Sequence, residues 1–391
     1  MDKRVYFLMV ISFVIGMVEL IINGIIDLIA EDFNVPLSWV GLLITVFSLI
    51  FAVASPILLV VTGHIERKRL ILSSLYIFLF GSLLTVFSPT FFILFLARII
   101  LALSGALLII LCIVLAPTLV DETHKGRAIG IVSMGVSASL VLGVPIGLVL
   151  GDSFGWRAPF VLITLLTILS ILGVHLFMER SKPRPPVPLK ELWGGLKSKK
   201  ILLAHGATLL YMTGHTAMYA YFKPYLEEMT SLSPTWINIV YFLFGAFAVF
   251  GGGFGGTMAD KFGSKKTILL LIGIFSGVFF ILPATIPFLP IFLLTVMGWA
   301  MLSWAISPAM QSYLIETDPK SGDIQQSLSN SSLHLGVALG SLIGGYVVDH
   351  FSVPSNSWVG GILIGVSFLF AFLSSRLKYE KWGKVMERTA P

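Results

Sequence analysis

One carboxylate stands well inside the first apolar run of the chain. It is Glu19, in Val5–Asp27, and no other charged residue lies between Val5 and Ile26. The run is long enough to cross a hydrocarbon layer as a helix. A charge there costs at least ~2.5–3.5 kcal/mol unless it faces protein or water. Asn23 follows four residues on, and a helical period puts both on one face with Ser12 and Gly16. Such a carboxylate can take up and release a proton from a wet cavity, or it can serve only to pin helix packing. Arg98, inside a later apolar run, must find a carboxylate, backbone carbonyls or water. His215 could titrate near neutrality or act as a neutral ligand.

The elements that must carry these groups are membrane helices. The chain of 391 residues is 56% hydrophobic and 12% charged, with mean hydropathy +0.95, a composition foreign to a soluble domain. Twelve apolar segments can be read, at 5–27, 38–62, 70–88, 91–116, 127–151, 158–178, 201–222, 235–256, 267–285, 288–312, 327–349 and 358–377. Peptide groups in lipid need partners within their own segment, and strands of a barrel would alternate and be about half as long. The first run is too long for a cleavable signal and lacks a small-residue cleavage site. The lone Cys112 permits no intrachain disulfide.

With the N-terminus inside, 23 of the 26 Lys and Arg fall on cytoplasmic pieces, which leaves Arg98, Arg157 and Lys223. Both termini are then cytoplasmic. The net charge of +6 follows from topology without nucleic acid. The basic tail after Arg376, with Trp382, is expected on anionic headgroups. Proline density and charge in Glu179–Lys200 forbid a membrane helix. That segment divides the chain into a six-helix bundle over 1–178, a cytoplasmic linker over 179–200, and a second bundle with a short tail over 201–391.

The halves repeat. Gly143, Gly147, Asp152 and Phe154 return as Gly340, Gly344, Asp349 and Phe351, each 197 residues later, and Glu19 and His215 lie 196 apart. GTMADKFGSKK (256–266) has glycine, an acid four residues later, then glycine and two bases. ARIILALSGA (97–106) carries Arg98 ahead of Gly105 and Ala106. GVPIG (143–147) precedes GWRAPF (155–160). These features resemble the major facilitator superfamily, whose members are all-α membrane proteins of twelve transmembrane helices in two pseudo-symmetric bundles. The 256–266 loop resembles its gate signature, which implies conformational roles for Gly256, Asp260, Lys261, Gly263, Lys265 and Lys266. Gly256 would permit close helix approach, and Asp260 would cap a helix or pair across the cytoplasmic gap. In the first copy Gly63 stands where the acid is expected. GVPIG resembles the antiporter motif of export members, with Gly143 and Gly147 on a smooth packing face and Pro145 permitting a bend.

The resemblance narrows to proton-coupled drug and metabolite efflux proteins through Glu19 and NGIIDLIAEDFNV (23–35). It narrows further, to bacterial purine base and nucleoside efflux pumps, through HTAMYAYFKPYLEE (215–228), GWAMLSWAISPAMQSYLIE (298–316) and NSSLHLGVALGSLIGG (330–345). In that family helices 1, 4, 7 and 10 line the path. The resemblance therefore implies a substrate site from Asn23, Tyr211, His215, Tyr219, Trp299, Trp304 and Gln311, with Asn330 and His334 beside it. It implies proton coupling through Glu19, Arg98 and His215. Flat aromatic faces and amide edges suit a heterocycle, although each aromatic could equally be packing. Tyr221, Tyr225 and Trp358 are expected as interfacial anchors, and His205 as interfacial.

The expected protein is a bacterial plasma-membrane exporter of small neutral solutes, driven by the proton gradient without a cofactor. Its partners are lipid, solute and protons, and it is expected to be a monomer. Drug, sugar or amino-acid efflux and a transporter-like receptor are the alternatives. No enzyme is expected. A phosphate-binding Gly-Lys-Ser/Thr loop is absent, His and Cys offer no metal spacing, and Asp318–Asp323 has too few calcium ligands.

Overall fold

The computed structural model describes residues 2–62, 64–121, 124–179 and 198–379. Most of the expected linker, Gly63 and most of the basic tail, Trp382 included, lie outside the described residues. Each of the twelve apolar segments falls on helix. The first half contains α1 (Lys3–Leu20), α2 (Ile22–Phe33), α3 (Leu37–Val61), α4 (Arg67–Val86), α5 (Phe91–Leu115), α6 (Lys125–Ala138), α7 (Val144–Phe154) and α8 (Ala158–Phe177). The second contains α9 (Lys199–Tyr219), α10 (Phe222–Met229), α11 (Pro234–Phe262), α12 (Ser264–Thr285), α13 (Leu289–Thr317), α14 (Gly322–His350) and α15 (Ser355–Arg376).

Among the described residues ten helical stretches are long and apolar enough to span a membrane, α6 and α7 counting as one through the π-turn between them, and α1 with α2 makes an eleventh, bent by 48°. The seventh segment, α9, is long enough but carries Lys199, Lys200, His205 and His215. It packs against α14 and α15, so Lys200, His205 and His215 are buried inside protein, while Lys199 at its start is exposed.

Breaks interrupt the segments nearest the centre. The first helix does not run continuously over 5–27. It extends over Lys3–Phe33 and breaks at Ile21, where Asn23 Nδ2 donates to the Leu20 carbonyl at 2.9 Å and Ile25 leaves helical geometry (φ −127°). In the fifth, a π-turn at Ser139–Gly143 sits just before Pro145. Proline lacks the N–H that would continue the ladder there, which gives this irregular turn a local cause.

Small residues set the helix pairings, and the two halves do this alike. A Cβ at Gly135 would come within 2.2 Å of the Met9 carbonyl, and one at Gly147 within 1.5 Å of Ile21 Cδ1, so the glycine face of α6–α7 lies on α1–α2. A Cβ at Gly340 or Gly344 would stand 2.5 Å from the carbonyl of Thr213 or Ala217, which lays α14 on α9 in the same manner. Gly256 has ordinary contacts. The close approach of α11 to α13 belongs to Gly251 and Gly255, which lie against the backbone of Met301 and Ala305.

The halves meet along α3 and α14, which run antiparallel. Ser341 Oγ donates to Gly41 O at 2.8 Å, Thr45 Oγ1 to Ala338 O at 3.3 Å, and Ser331 Oγ to Ala52 O at 2.9 Å. At the start of α1, Arg4 lies 3.5 Å from Glu179, just past α8. At the start of α9, Lys200 Nζ donates to Leu377 O just past α15. With α3 and α14 antiparallel, both termini lie at one end of the bundle.

Candidate functional site

A cavity lies at mid-bundle between the halves. Glu19, at the end of α1, lines it together with Leu20 and Asn23, on either side of the break at Ile21. From α9 come Tyr211, Met212, His215, Thr216 and Tyr219, and from α13 Ser303, Trp304 and Ser307. Ile44 and Ser48 of α3, Val136 and Leu140 around the π-turn, Phe244 of α11, and Leu333 and Val337 of α14 complete the wall. The structure brings Glu19, Asn23, Tyr211, His215, Tyr219 and Trp304, all named from the sequence, to one cavity. The sequence reading named no residue of α3, α6 or α11, and on α14 it named Asn330 and His334 rather than Leu333 and Val337, because apolar wall residues carry no signature against the apolar background.

Other expectations need correction. No residue of α5 lines the cavity. Ser12 is buried and Gly16 packs against Ser139, so the polar face of α1 divides between packing and cavity. Trp299 is wholly buried behind the wall. Gln311 lies away from the cavity beside a small void with Gln325 and Gln326, and Asn330 is exposed. His205 is not interfacial but buried, its Nε2 2.9 Å from Gln325 Oε1. Tyr221 and Tyr225 are likewise buried, and Trp358 alone of the expected anchors is exposed.

The aromatic wall is tightly organised. The Trp299 indole N–H donates to His215 Nδ1 at 3.0 Å. The acceptor nitrogen must be unprotonated, which places the neutral ring's proton on Nε2. Tyr219 stacks on His215 at 5.3 Å between ring centres, and Phe244 stacks on Tyr219 at 4.9 Å. Asn23 leaves Oδ1 without a partner once Nδ2 has bonded Leu20.

The ionic groups do not pair as charge alone would suggest. Arg98 is wholly buried. Its Nη1 donates to Val18 O at 2.8 Å and its Nε to Leu43 O at 3.4 Å, while the guanidinium lies 4.3 Å from the Phe47 ring centre. Carbonyls, not Glu19, are its partners. Glu19 Oε1 instead lies 3.4 Å from His334 Nδ1, across the boundary between the halves.

A second ionic group closes the end opposite the termini. Lys223, on α10 of the second half, lies 2.8 Å from Asp27 and 3.1 Å from Asp152, both of the first half. Glu227 stands 3.9 Å away, and nearby Tyr241 donates to Asn23 O at 3.2 Å. The sequence offered one hint of this clamp: Asp27 and Lys223 stand 196 apart, as do Glu19 and His215. At the terminal end, Asp260, Lys261, Lys265 and Lys266 are exposed, and Asp260 makes no ion pair among the described residues. Gly263, at φ +85°, turns the chain between α11 and α12, and Ser264 donates to Glu316 at 2.6 Å.

The comparisons with known proteins agree with this architecture. The sequence model of the Major Facilitator Superfamily matches residues 8–322 and again 206–388. Two relatives from Bacillus subtilis (strain 168), the uncharacterized MFS-type transporters YbcL and YfhI, are each 28% identical. They align over 372 and 378 residues, covering 95% of this chain and 95% and 94% of theirs. A bacterial homologue of the human lysosomal transporter Spinster, solved inward-facing and unoccupied, superposes with TM-score 0.77 at 18% identity, over 96% of this chain and 98% of that one. The occupied inward-facing form of that homologue gives TM-score 0.78 over 95% and 96%. A multi-pass membrane protein built as two repeated bundles around a central cavity, this chain belongs to the Major Facilitator Superfamily of membrane transporters.

Proposed function

We propose that the chain is a proton-coupled exporter of small, largely neutral, planar solutes, with purine bases or nucleosides first, working by alternating access. It sits in the bacterial plasma membrane with both termini in the cytoplasm. One observation carries the reading: Glu19, the sole carboxylate on the cavity wall among the described residues, faces aromatic rings, hydroxyls and one amide set among apolar side chains. The proton on His215 Nε2 and the open Asn23 Oδ1 give a donor and an acceptor beside stacked rings. That combination suits the edge and face of a heterocycle. Because Nδ1 of His215 is engaged by Trp299, Glu19 is the better proton carrier of the two.

If solute and proton prefer opposite charge states of the cavity, exchange becomes obligatory. With a neutral solute, a pH difference of one unit supplies ~1.4 kcal/mol and 100 mV about 2.3 more. Together they could hold a solute ratio of roughly 500. Export is supported by the resemblance of GVPIG (143–147) to the antiporter motif. Asp260 belongs in this reading to the terminal-end gate in the opposite conformation, so Asp260→Asn is expected to slow alternation more than it weakens binding. The apolar share of the wall (Ile44, Leu140, Met212, Phe244, Leu333) favours a second reading, broad drug efflux.

Counterflow in proteoliposomes against labelled purines, sugars and lipophilic cations tests the substrate class. Uptake of the cations without the purines would select the second reading. For coupling, Glu19→Gln is expected to keep solute exchange and lose uphill accumulation. If Glu19→Gln pumps at the wild-type level while His215→Gln does not, the carrier is misassigned.

A further inference from the structure

Among the described residues, the one ion-pair contact of the carboxylate that the proposed function uses comes from the other half of the molecule. His334 on α14 presents Nδ1 to Glu19 Oε1 at 3.4 Å. That nitrogen is buried and has no hydrogen bond. Its ring lies against Phe51 of α3, 4.7 Å between ring centres. Both side chains are largely enclosed, with 7% of His334 and 21% of Glu19 exposed. An imidazole 3.4 Å from a carboxylate, without any other bond at that nitrogen, is placed to share a proton with it rather than to pack.

We propose that Glu19 and His334 form one composite proton site across the interface between the halves, so that the coupling proton is held jointly. This rests on Glu19 being the coupling carboxylate. The proton can sit on Glu19 Oε1 and donate to Nδ1, or on Nδ1 and donate to the carboxylate. The two arrangements carry the same total charge and differ only in which side of the contact holds the proton. With the proton bound, the contact is a charge-assisted or acid–base hydrogen bond joining the halves. Without it, a carboxylate faces a neutral ring, and the junction weakens. Proton occupancy thus bears directly on how firmly the two bundles are held together at mid-depth.

Other ionisable groups stand around this pairing. Arg98 of α5 is the other charge near Glu19: its Nη1 and Nε donate to the Val18 and Leu43 carbonyls beside the Phe47 ring, while Nη2 is buried without a hydrogen-bond partner and the cation acts on Glu19 through space. His215 of α9 lines the same cavity with Nδ1 taken by Trp299. Tyr211 and Tyr219 of α9 are the remaining ionisable side chains on the wall, while α3, α6, α11, α13 and α14 contribute none to it. His334 therefore differs from the other candidate ligands: its role is towards the proton.

Infrared pH-difference spectra of the full-length protein, in vesicles of phosphatidylethanolamine and phosphatidylglycerol, test this without any solute. The Glu19 carboxyl band is the one that Glu19→Gln removes, and the His334 ring signal is the one that His334→Gln removes. In a shared site the two titrate together. His334→Gln is expected to move the midpoint of the Glu19 band by about one pH unit or more, the scale of a charge partner at this distance. By linkage, Glu19→Gln moves the His334 midpoint by a similar amount. A Glu19 band unmoved in His334→Gln overturns the proposal. If that variant does not fold, the histidine signal in Glu19→Gln decides alone, an unmoved midpoint being the refuting result. Failure of the functional reading has a different signature, since uphill transport surviving in Glu19→Gln would sink that reading whatever the spectra show.

Discussion

Arg98 and Trp299 show how much of a cavity is decided behind its wall. Neither touches the cavity, yet Arg98 gathers carbonyls from α1 and α3, and Trp299 fixes the tautomer of His215. A lysine at 98 offers no planar fork to two carbonyls and no flat face to Phe47. Arg98→Lys is therefore expected to cost roughly 1–3 kcal/mol, read as a lower melting temperature in detergent. Trp299→Phe removes the donor to His215 Nδ1 and strands a buried acceptor, at a similar cost of about 1–3 kcal/mol. An unchanged melting temperature in Trp299→Phe would show that the bond contributes nothing. Residue types in the sequence were enough to nominate Glu19, Asn23, His215, Tyr211, Tyr219 and Trp304. They could not tell Trp299 and Gln311 from these, because helical period gives a face but not how deep that face lies. The partners of Arg98 and Glu19 were hidden for a related reason: which ion finds which group depends on contacts far apart in the chain.

At the level of helices, glycine spacing was the most legible signal. The face with Gly143 and Gly147 packs as the motif implied, and its copy at Gly340 and Gly344 does the same in the second half. What the spacing could not rank is tolerance. A Cβ at Gly147 meets the movable end of Ile21, whereas one at Gly135 meets the Met9 backbone carbonyl. Gly135→Ala is thus expected to destabilise by about 1–3 kcal/mol through overpacking. Gly130→Ala, with nothing within 4 Å of the new Cβ, serves as the neutral control. Equal melting temperatures for the two variants would contradict this account of α6 against α1. The break at Ile21 escaped the sequence because no proline marks it and Gly24, beside the non-helical Ile25, is one glycine among many in these helices. The side chain that bonds the freed carbonyl, Asn23, was noticed as a cavity group instead.

For the molecule as a whole, Lys223 holds the end opposite the termini shut between Asp27 and Asp152. Removing its charge leaves two carboxylates facing one another, so the closed arrangement should lose population. With a cysteine placed at Ser341, on the α3–α14 seam, Lys223→Gln is expected to raise the rate of labelling by a membrane-impermeant thiol reagent. The rise should be at least about fivefold, corresponding to a coupling of about 1 kcal/mol. An unchanged rate would mean that helix packing alone keeps this end closed. Overall architecture was readable from hydropathy and the repeat, since lipid permits few solutions. The clamp was not, because its members are far apart in the chain, although Asp27 and Lys223, of opposite sign, stand at matching places in the two repeats.

That last fact bears on how the two repeats recognise each other. Asp27 and Lys223 occupy corresponding places, 196 residues apart, yet they carry opposite charges and touch. A bundle paired with a second copy of itself would set aspartate against aspartate, or lysine against lysine. The duplicated units have thereby become complementary rather than interchangeable. Were the chain severed within 180–197 and the two fragments co-expressed with different affinity tags, each fragment should retrieve the other and not its own kind.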